Sequence, residues 1–146
     1  MTKICIASDH HGVKTKAKIA KYLTKKGYLV EDLGTNSDEM VDYPIYAKKV
    51  GKMVANKEAD FGILICYSGI GMSIACNRIK GVRCALLTNK IDAKHTRQDN
   101  DANVVAFSSE LKLYKIYDIL DVFLTTDFSK EERHIRRIAE IDDELW

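Results

Sequence analysis

Two hydrophobic periods alternate along this chain and divide it into strands and helices. Residues 4–8 form a short apolar run that stops at the polar turn Asp9-His10-His11-Gly12. Behind it, Val13, Ala17, Ala20, Tyr22 and Leu23 recur at helical spacing, with Lys14, Lys16, Lys18 and Lys21 between them. That is the pattern of a helix with one buried and one solvated face. Lys25-Lys26-Gly27 closes it, with cations complementing the helix dipole and glycine as the stop. Residues 28–33 read as a second strand. Pro44, the only proline, suits the first turn of a second helix carrying Ile45, Ala47, Val50 and Val54. Residues 61–66 are nearly all apolar, so this third strand is expected to be buried on both faces. A glycine-rich turn and a helix over about 71–79 follow. Apolar strands over 84–87 and 103–107 flank a polar helix around 93–98, and helices over 111–125 and 130–145 end the chain.

Strands alternating with helices in this order predict an α/β fold: a three-layer α/β/α sandwich around a Rossmann-like, five-stranded, mainly parallel sheet, finished by a C-terminal helix. The 146 residues fit one domain over 1–146, without internal repeats or a linker. A chain of this size buries roughly 68–70% of its unfolded surface and needs no covalent staples.

Charge then narrows the function classes. Lys plus Arg is 23 against 21 Asp plus Glu, a net +2, too even for a generic nucleic-acid or membrane binder. The lysine-rich first helix is expected to be a solvated outer face. No apolar run approaches the about 18 residues of a membrane span. The opening Met1-Thr2-Lys3-Ile4-Cys5-Ile6 reads as a strand rather than a signal peptide, so a cytoplasmic location is expected. The four cysteines (5, 66, 76, 84) form no C-x-x-C pair, and the histidines at 10, 11, 95 and 134 lack zinc spacing. No zinc site is expected from this spacing. Cys5, Cys76 and Cys84 read as small buried hydrophobes.

In a parallel sheet, ligands bind beyond the carboxyl ends of the strands. Those ends carry Asp9, His10, His11 and Gly12, then Cys66-Tyr67-Ser68-Gly69-Ile70-Gly71-Met72-Ser73, with Asp99, Asn100 and Asp101 after the polar helix. The turn after Cys66 brings backbone N–H groups and a helix start together, a setting for a phosphate or a developing oxyanion. A thiol at its edge feels the same dipoles, the setting of a reactive cysteine. Three familiar motifs fail on the letters. The first turn lacks the G-x-G-x-x-G of a dinucleotide site, and Met72 stands where a P-loop lysine or the arginine of a thiol phosphatase belongs. Near the C-terminus, Arg133 and Arg137 share a helix face beside Ile138, Ile141 and Leu145. They could clamp a phosphate or pair with neighbours such as Glu131 and Glu132.

Taken together, Ser8-Asp9-His10-x-Gly12, Asp42-Tyr43-Pro44, Ile65-Cys66-x-Ser68-Gly69-x-Gly71, Asn77, Gly81-Val82-Arg83, Asn100-Asp101-x-Asn103-Val104 and Arg133-His134-x-Arg136-Arg137 resemble the ribose-5-phosphate isomerase type B family, which includes the galactose-6-phosphate isomerase subunits. The match keeps order and spacing over essentially the whole chain. The resemblance implies cofactor-free aldose–ketose isomerisation of a sugar phosphate through a cis-enediolate. It makes Cys66 the base and Ser68, with the backbone N–H groups of Gly69, Ile70, Gly71, Met72 and Ser73, the oxyanion donors. Relatives with a carboxylate base carry it at position 75, which is Ala75 here. Asp9 resembles the group handling a sugar hydroxyl during ring opening. His10, Arg133 and Arg137 resemble the phosphate grip, and Tyr43 and Asn100 the sugar contacts. The family works as homodimers, sometimes tetramers, with sites built from two chains.

The departures are local to the pocket. Asp99 stands where a ring-opening histidine is common, Tyr67 where glycine is usual, Ser68 for threonine, and Glu110 where arginine is frequent. His11 falls at a variable position and receives no role. The expected substrate is ribose 5-phosphate, converted to ribulose 5-phosphate. The alternatives are a six-carbon sugar phosphate of the galactose or allose 6-phosphate type, a non-catalytic sugar-phosphate-binding subunit and, more distantly, a thiol hydrolase.

Overall fold

The apolar runs pair into one sheet in the computed structural model, which describes residues 1–143. The strands are β1 (Lys3–Ser8), β2 (Leu29–Asp32), β3 (Phe61–Cys66), β4 (Cys84–Leu86) and β5 (Val104–Ser108). Their order is β2-β1-β3-β5-β4, and every pairing is parallel. Helices α1 (Val13–Lys25), α2 (Tyr43–Ala55), α3 (Ile70–Cys76) and α4 (Lys90–Asn100) fill the crossovers. Helices α5 (Leu113–Thr125) and α6 (Glu132–Ile141) follow the last strand. The layered α/β architecture expected from the strand–helix alternation is present. Among the described residues, no helix is long and apolar enough to cross a membrane.

Strand alternation divides the core into two unlike halves. Ile4, Ile6, Ile63, Ile65, Val105 and Phe107 face a layer that contains Ile19 and Leu23 of α1 and Ile116, Ile119, Leu120 and Phe123 of α5. The other face carries Cys5, Ala7, Leu64, Cys66, Val104 and Ala106, which meet Ala47, Val50 and Val54 of α2 and Met72 and Cys76 of α3. Each large apolar side chain fully buried here contributes about 1.5–3 kcal/mol. The second face is built largely from small residues, so α2 and α3 lie close to the strands that end at Cys66.

Several boundaries differ from the sequence expectation for local reasons. Helix α3 stops at Cys76 because the Asn77 amide then bonds both ways with the Cys84 backbone, accepting from its N–H at 2.7 Å and donating to its carbonyl at 2.9 Å. Helix α4 starts earlier than expected, since the Asn89 side chain caps it by accepting from Asp92 N–H at 2.8 Å. The part of the last predicted helix that includes Leu145 lies outside the described residues.

The lysine-rich helix holds one clear correction. Lys16, Ile19 and Leu23 form the buried stripe of α1, whereas Ala17 is exposed. Lys16 is 1% exposed, and its Nζ donates to Asp32 Oδ2 at 2.5 Å and Asn36 Oδ1 at 2.6 Å. Its aliphatic stem joins the core while the ammonium pins α1 to the segment leaving β2. We expect Asp32→Ala to cost about 3 kcal/mol in urea unfolding, because it strips a buried ammonium of its countercharge. Lys16→Met, which removes the charge and keeps the stem, should cost clearly less. Equal losses would mean that packing, not pairing, carries this contact.

Candidate active site

β1 and β3 lie side by side, yet the chain leaves them in opposite directions across the sheet. Their carboxyl ends therefore bound the crevice where an open α/β sheet binds ligands. The Asp9 N–H donates to Ile65 O at 3.1 Å, so the two following turns leave the sheet together. Between them lies an open crevice of ≈ 440 Å³. Asp9 and His11 line it from the first turn, Tyr43 from the start of α2, and Cys66, Ser68 and Gly71 from the turn into α3. Tyr67, Ile70 and Ile74 complete the lining.

Cys66 is 6% exposed, and its sulfur accepts the Gly69 N–H at 3.1 Å. Such a bond strengthens when the acceptor is negatively charged. Gly69 has φ +78°, and a Cβ there would sit 2.8 Å from the Phe107 backbone. Both conditions require glycine at this turn. The Ile70 N–H donates to Ser68 Oγ at 3.2 Å. Both polar groups of Ser73 are engaged within α3: its N–H donates to Gly69 O at 3.1 Å and its hydroxyl to Ile70 O at 2.8 Å. By helix geometry, the N–H groups of Gly71 and Met72 are left without intrahelical partners. A Cβ on Gly71 would lie 2.6 Å from the Tyr43 ring, so the missing side chain lets that ring close over the turn.

Across the crevice, Asp9 is 6% exposed and holds His11 twice. Its Oδ1 accepts the His11 N–H at 2.9 Å, and its Oδ2 lies 3.3 Å from His11 Nδ1. His10 faces another contact, its Nδ1 accepting the Val41 N–H at 3.2 Å. Asp9, His10 and His11 offer ligand atoms within 4.8 Å of one another, the one such group among the described residues that could hold a metal ion. Both Asp9 oxygens and both Nδ1 atoms already have the partners just named.

Asp99, Asn100, Arg133 and Arg137 do not line the Cys66 crevice. Asp99 Oδ1 lies 3.5 Å from Nε2 of the buried His134. Asn100 Oδ1 accepts from Thr96 Oγ1 at 3.0 Å and borders a separate hollow beside Cys84. Arg133 pairs with Glu131, and Arg137 is exposed. Glu110 is exposed beyond β5, its N–H donating to Ser108 Oγ at 3.0 Å; that hydroxyl in turn donates to Tyr67 O at 2.5 Å. Several motif residues serve structure. The Arg83 guanidinium donates to the Asn100 and Asp101 carbonyls, and Asn103 holds Arg83 N–H and Gly81 O. Of the crevice residues, sequence reasoning gave no role to His11 or Ile74. The spacing of His11 from Asp9 was a usable signal, whereas an apolar residue on the outer face of α3 offered none.

Two other thiols are held protonated by their surroundings. Burial pushes the Cys5 thiol up to about 12. Contact with Cys76, followed by burial, raises Cys84 well above the ordinary thiol range. At pH 8, iodoacetamide should modify Cys66 first, and Cys66→Ala should abolish the fast phase seen by mass spectrometry. Rapid labelling of Cys5 or Cys84 would contradict this ranking.

The pattern of the ribose/galactose isomerase family matches residues 4–141. The ribose 5-phosphate isomerase of Thermotoga maritima is 48% identical, with TM-score 0.93 and 97% of each chain covered. The ribose-5-phosphate isomerase B of Clostridium thermocellum superposes with TM-score 0.94 at 42% identity, covering 97% of this chain and 95% of the other. The ribose-5-phosphate isomerase B of Escherichia coli (strain K12) is 41% identical over 144 residues, 97% of this chain and 95% of its own length. Agreement over the whole sheet and the turns that bound the crevice leaves one assignment: the chain belongs to the ribose/galactose isomerase family of sugar phosphate isomerases.

Proposed function

We propose that this chain interconverts ribose 5-phosphate and ribulose 5-phosphate, with Cys66 as the base. The observation that carries this reading is the Cys66 sulfur, which accepts the Gly69 N–H in a crevice shared with Asp9 and Ser68. In the open-chain aldose, the Cys66 thiolate removes the proton on C2, and negative charge develops on O1. Ser68 and the N–H groups of Gly71 and Met72 stabilise that charge as it forms. A proton passes from O2 to O1 across the cis-enediolate, the thiol returns its own proton to C1, and C2=O2 becomes the ketone carbonyl. A proton shift of this kind asks for a base and for donors already in place. Ala75 offers no carboxylate to compete for the base role.

The phosphate falls to His10, Arg133 and Arg137, and the sugar hydroxyls to Tyr43, Tyr67 and Asn100. His10 uses Nδ1 as an acceptor, which leaves Nε2–H as a donor toward an anion. Arg133, Arg137, Asp99 and Asn100 stand outside their own chain's crevice, which supports a homodimer whose sites each combine Cys66 of one copy with the arginines of the other.

Purified protein with ribose 5-phosphate should form ketose, and Cys66→Ala should lower turnover by about 10³-fold with folding intact. Turnover only on a six-carbon sugar phosphate would move the assignment to that substrate. Binding without turnover on any sugar phosphate would make the chain a binding subunit. Subunit mixing tests the shared site. Cys66→Ala and an Arg133→Ala/Arg137→Ala double variant should each be inactive. Mixed and re-equilibrated in equal amounts, they should recover about a quarter of wild-type activity, since half the dimers are mixed and each has one intact site. No recovery would place every contributing residue within one chain.

A further inference from the structure

Aldopentose phosphates exist mainly as closed hemiacetals, and no enediolate forms until the ring opens. Opening requires a group that takes the proton from the anomeric hydroxyl O1 while ring oxygen O4 receives one. The sequence resemblance offers Asp99 for this task; in its own chain Asp99 lies outside the crevice, its Oδ1 3.5 Å from His134 Nε2. The imidazole that lines the Cys66 crevice is His11.

We propose that His11, oriented by Asp9, is the acid–base catalyst of ring opening; this rests on the isomerase reading above. A carboxylate can only accept, so the 3.3 Å contact assigns the proton to His11 Nδ1 and leaves the Nε2 lone pair free. The neighbouring His10 has the opposite tautomer, because its Nδ1 accepts the Val41 N–H. Adjacent imidazoles thus differ in chemistry: His10 presents a donor and His11 presents a base. Asp9 is 6% exposed and also binds the His11 backbone N–H at 2.9 Å, so the carboxylate is fixed relative to the ring. The His11 ring lies between His10, at 4.3 Å between centroids, and Tyr67, at 5.4 Å. Its side chain remains 46% exposed, open to a sugar entering the crevice.

The step balances without another reagent. Nε2 takes the O1 proton, the C1–O4 bond breaks with its electron pair passing to O4, and C1 becomes the aldehyde carbon. The imidazolium, held by Asp9, then gives the same proton to O4. O1 and O4 share C1, so a single nitrogen can serve both. The base at Cys66 plays no part until the aldehyde exists.

Ribulose 5-phosphate separates this role from a structural one, because its C5 hydroxyl is phosphorylated and the ketose stays open. We would compare the unsubstituted protein with His11→Asn, whose amide can still donate to Asp9 but offers no base. Ketose formation from ribose 5-phosphate should fall by about 10²-fold. Deuterium uptake from D₂O into C1 of ribulose 5-phosphate, which needs only the enediolate chemistry, should stay within about twofold. Equal loss of both, or loss of neither, would overturn the role given to His11. If the unsubstituted protein shows neither activity, the ribose 5-phosphate assignment itself fails, and the inference with it.

Discussion

The site depends on the parallel pairing of β1 with β3, two strands between which the chain reverses its direction across the sheet. Such a reversal leaves a crevice between the two crossover helices, and both strands deliver their carboxyl ends to it. The bond from Asp9 N–H to Ile65 O extends that pairing past the end of β1. It holds the turn carrying Asp9 and His11 against the turn carrying Cys66 and Ser68. A different strand order would separate these two turns.

Packing supports this arrangement from beneath. One face of the sheet bears bulky aliphatic rows, and the other bears Cys5, Ala7, Val104 and Ala106 with α2 and α3 close upon them. That closeness brings Tyr43 over the start of α3, where Gly71 leaves room for its ring. On the far edge, Asn77, Arg83 and Asn103 tie short strand β4 to the chain around it through backbone bonds. These residues look functional in a motif, yet their work is to satisfy the backbone of an edge strand that is only three residues long.

Inside the crevice, chemical roles follow from which nitrogen or oxygen is already engaged. Gly69 commits its N–H to the Cys66 sulfur, and Ser73 commits both its polar groups to the helix. Asp9 and Val41 fix opposite tautomers on two consecutive histidines. The turn residues thus have distinct functions, although their sequence alone suggests a uniform cradle of donors.

The architecture was legible from the chain because burial on both faces leaves a local trace: short β-rich apolar runs at 4–8, 61–66 and 103–107, separated by helical periodicity. The turn after Cys66 was legible for a similar reason, since Gly69 and Gly71 mark close approaches that other residues cannot make. What the letters could not reveal was contact between distant segments. Lys16 reads as one more surface lysine until Asp32 and Asn36 meet it, because a salt bridge across two elements has no local period. On spelling Asp99 is the candidate and His11 has no role; within this chain packing sets Asp99 beside His134 and His11 in the Cys66 crevice. Sequence by itself determined which elements form and which turns carry reactive groups, through periods and glycines that act over a few residues. Only the tertiary structure decided which of those groups meet, since that depends on strand order and on the buried partners each side chain finds.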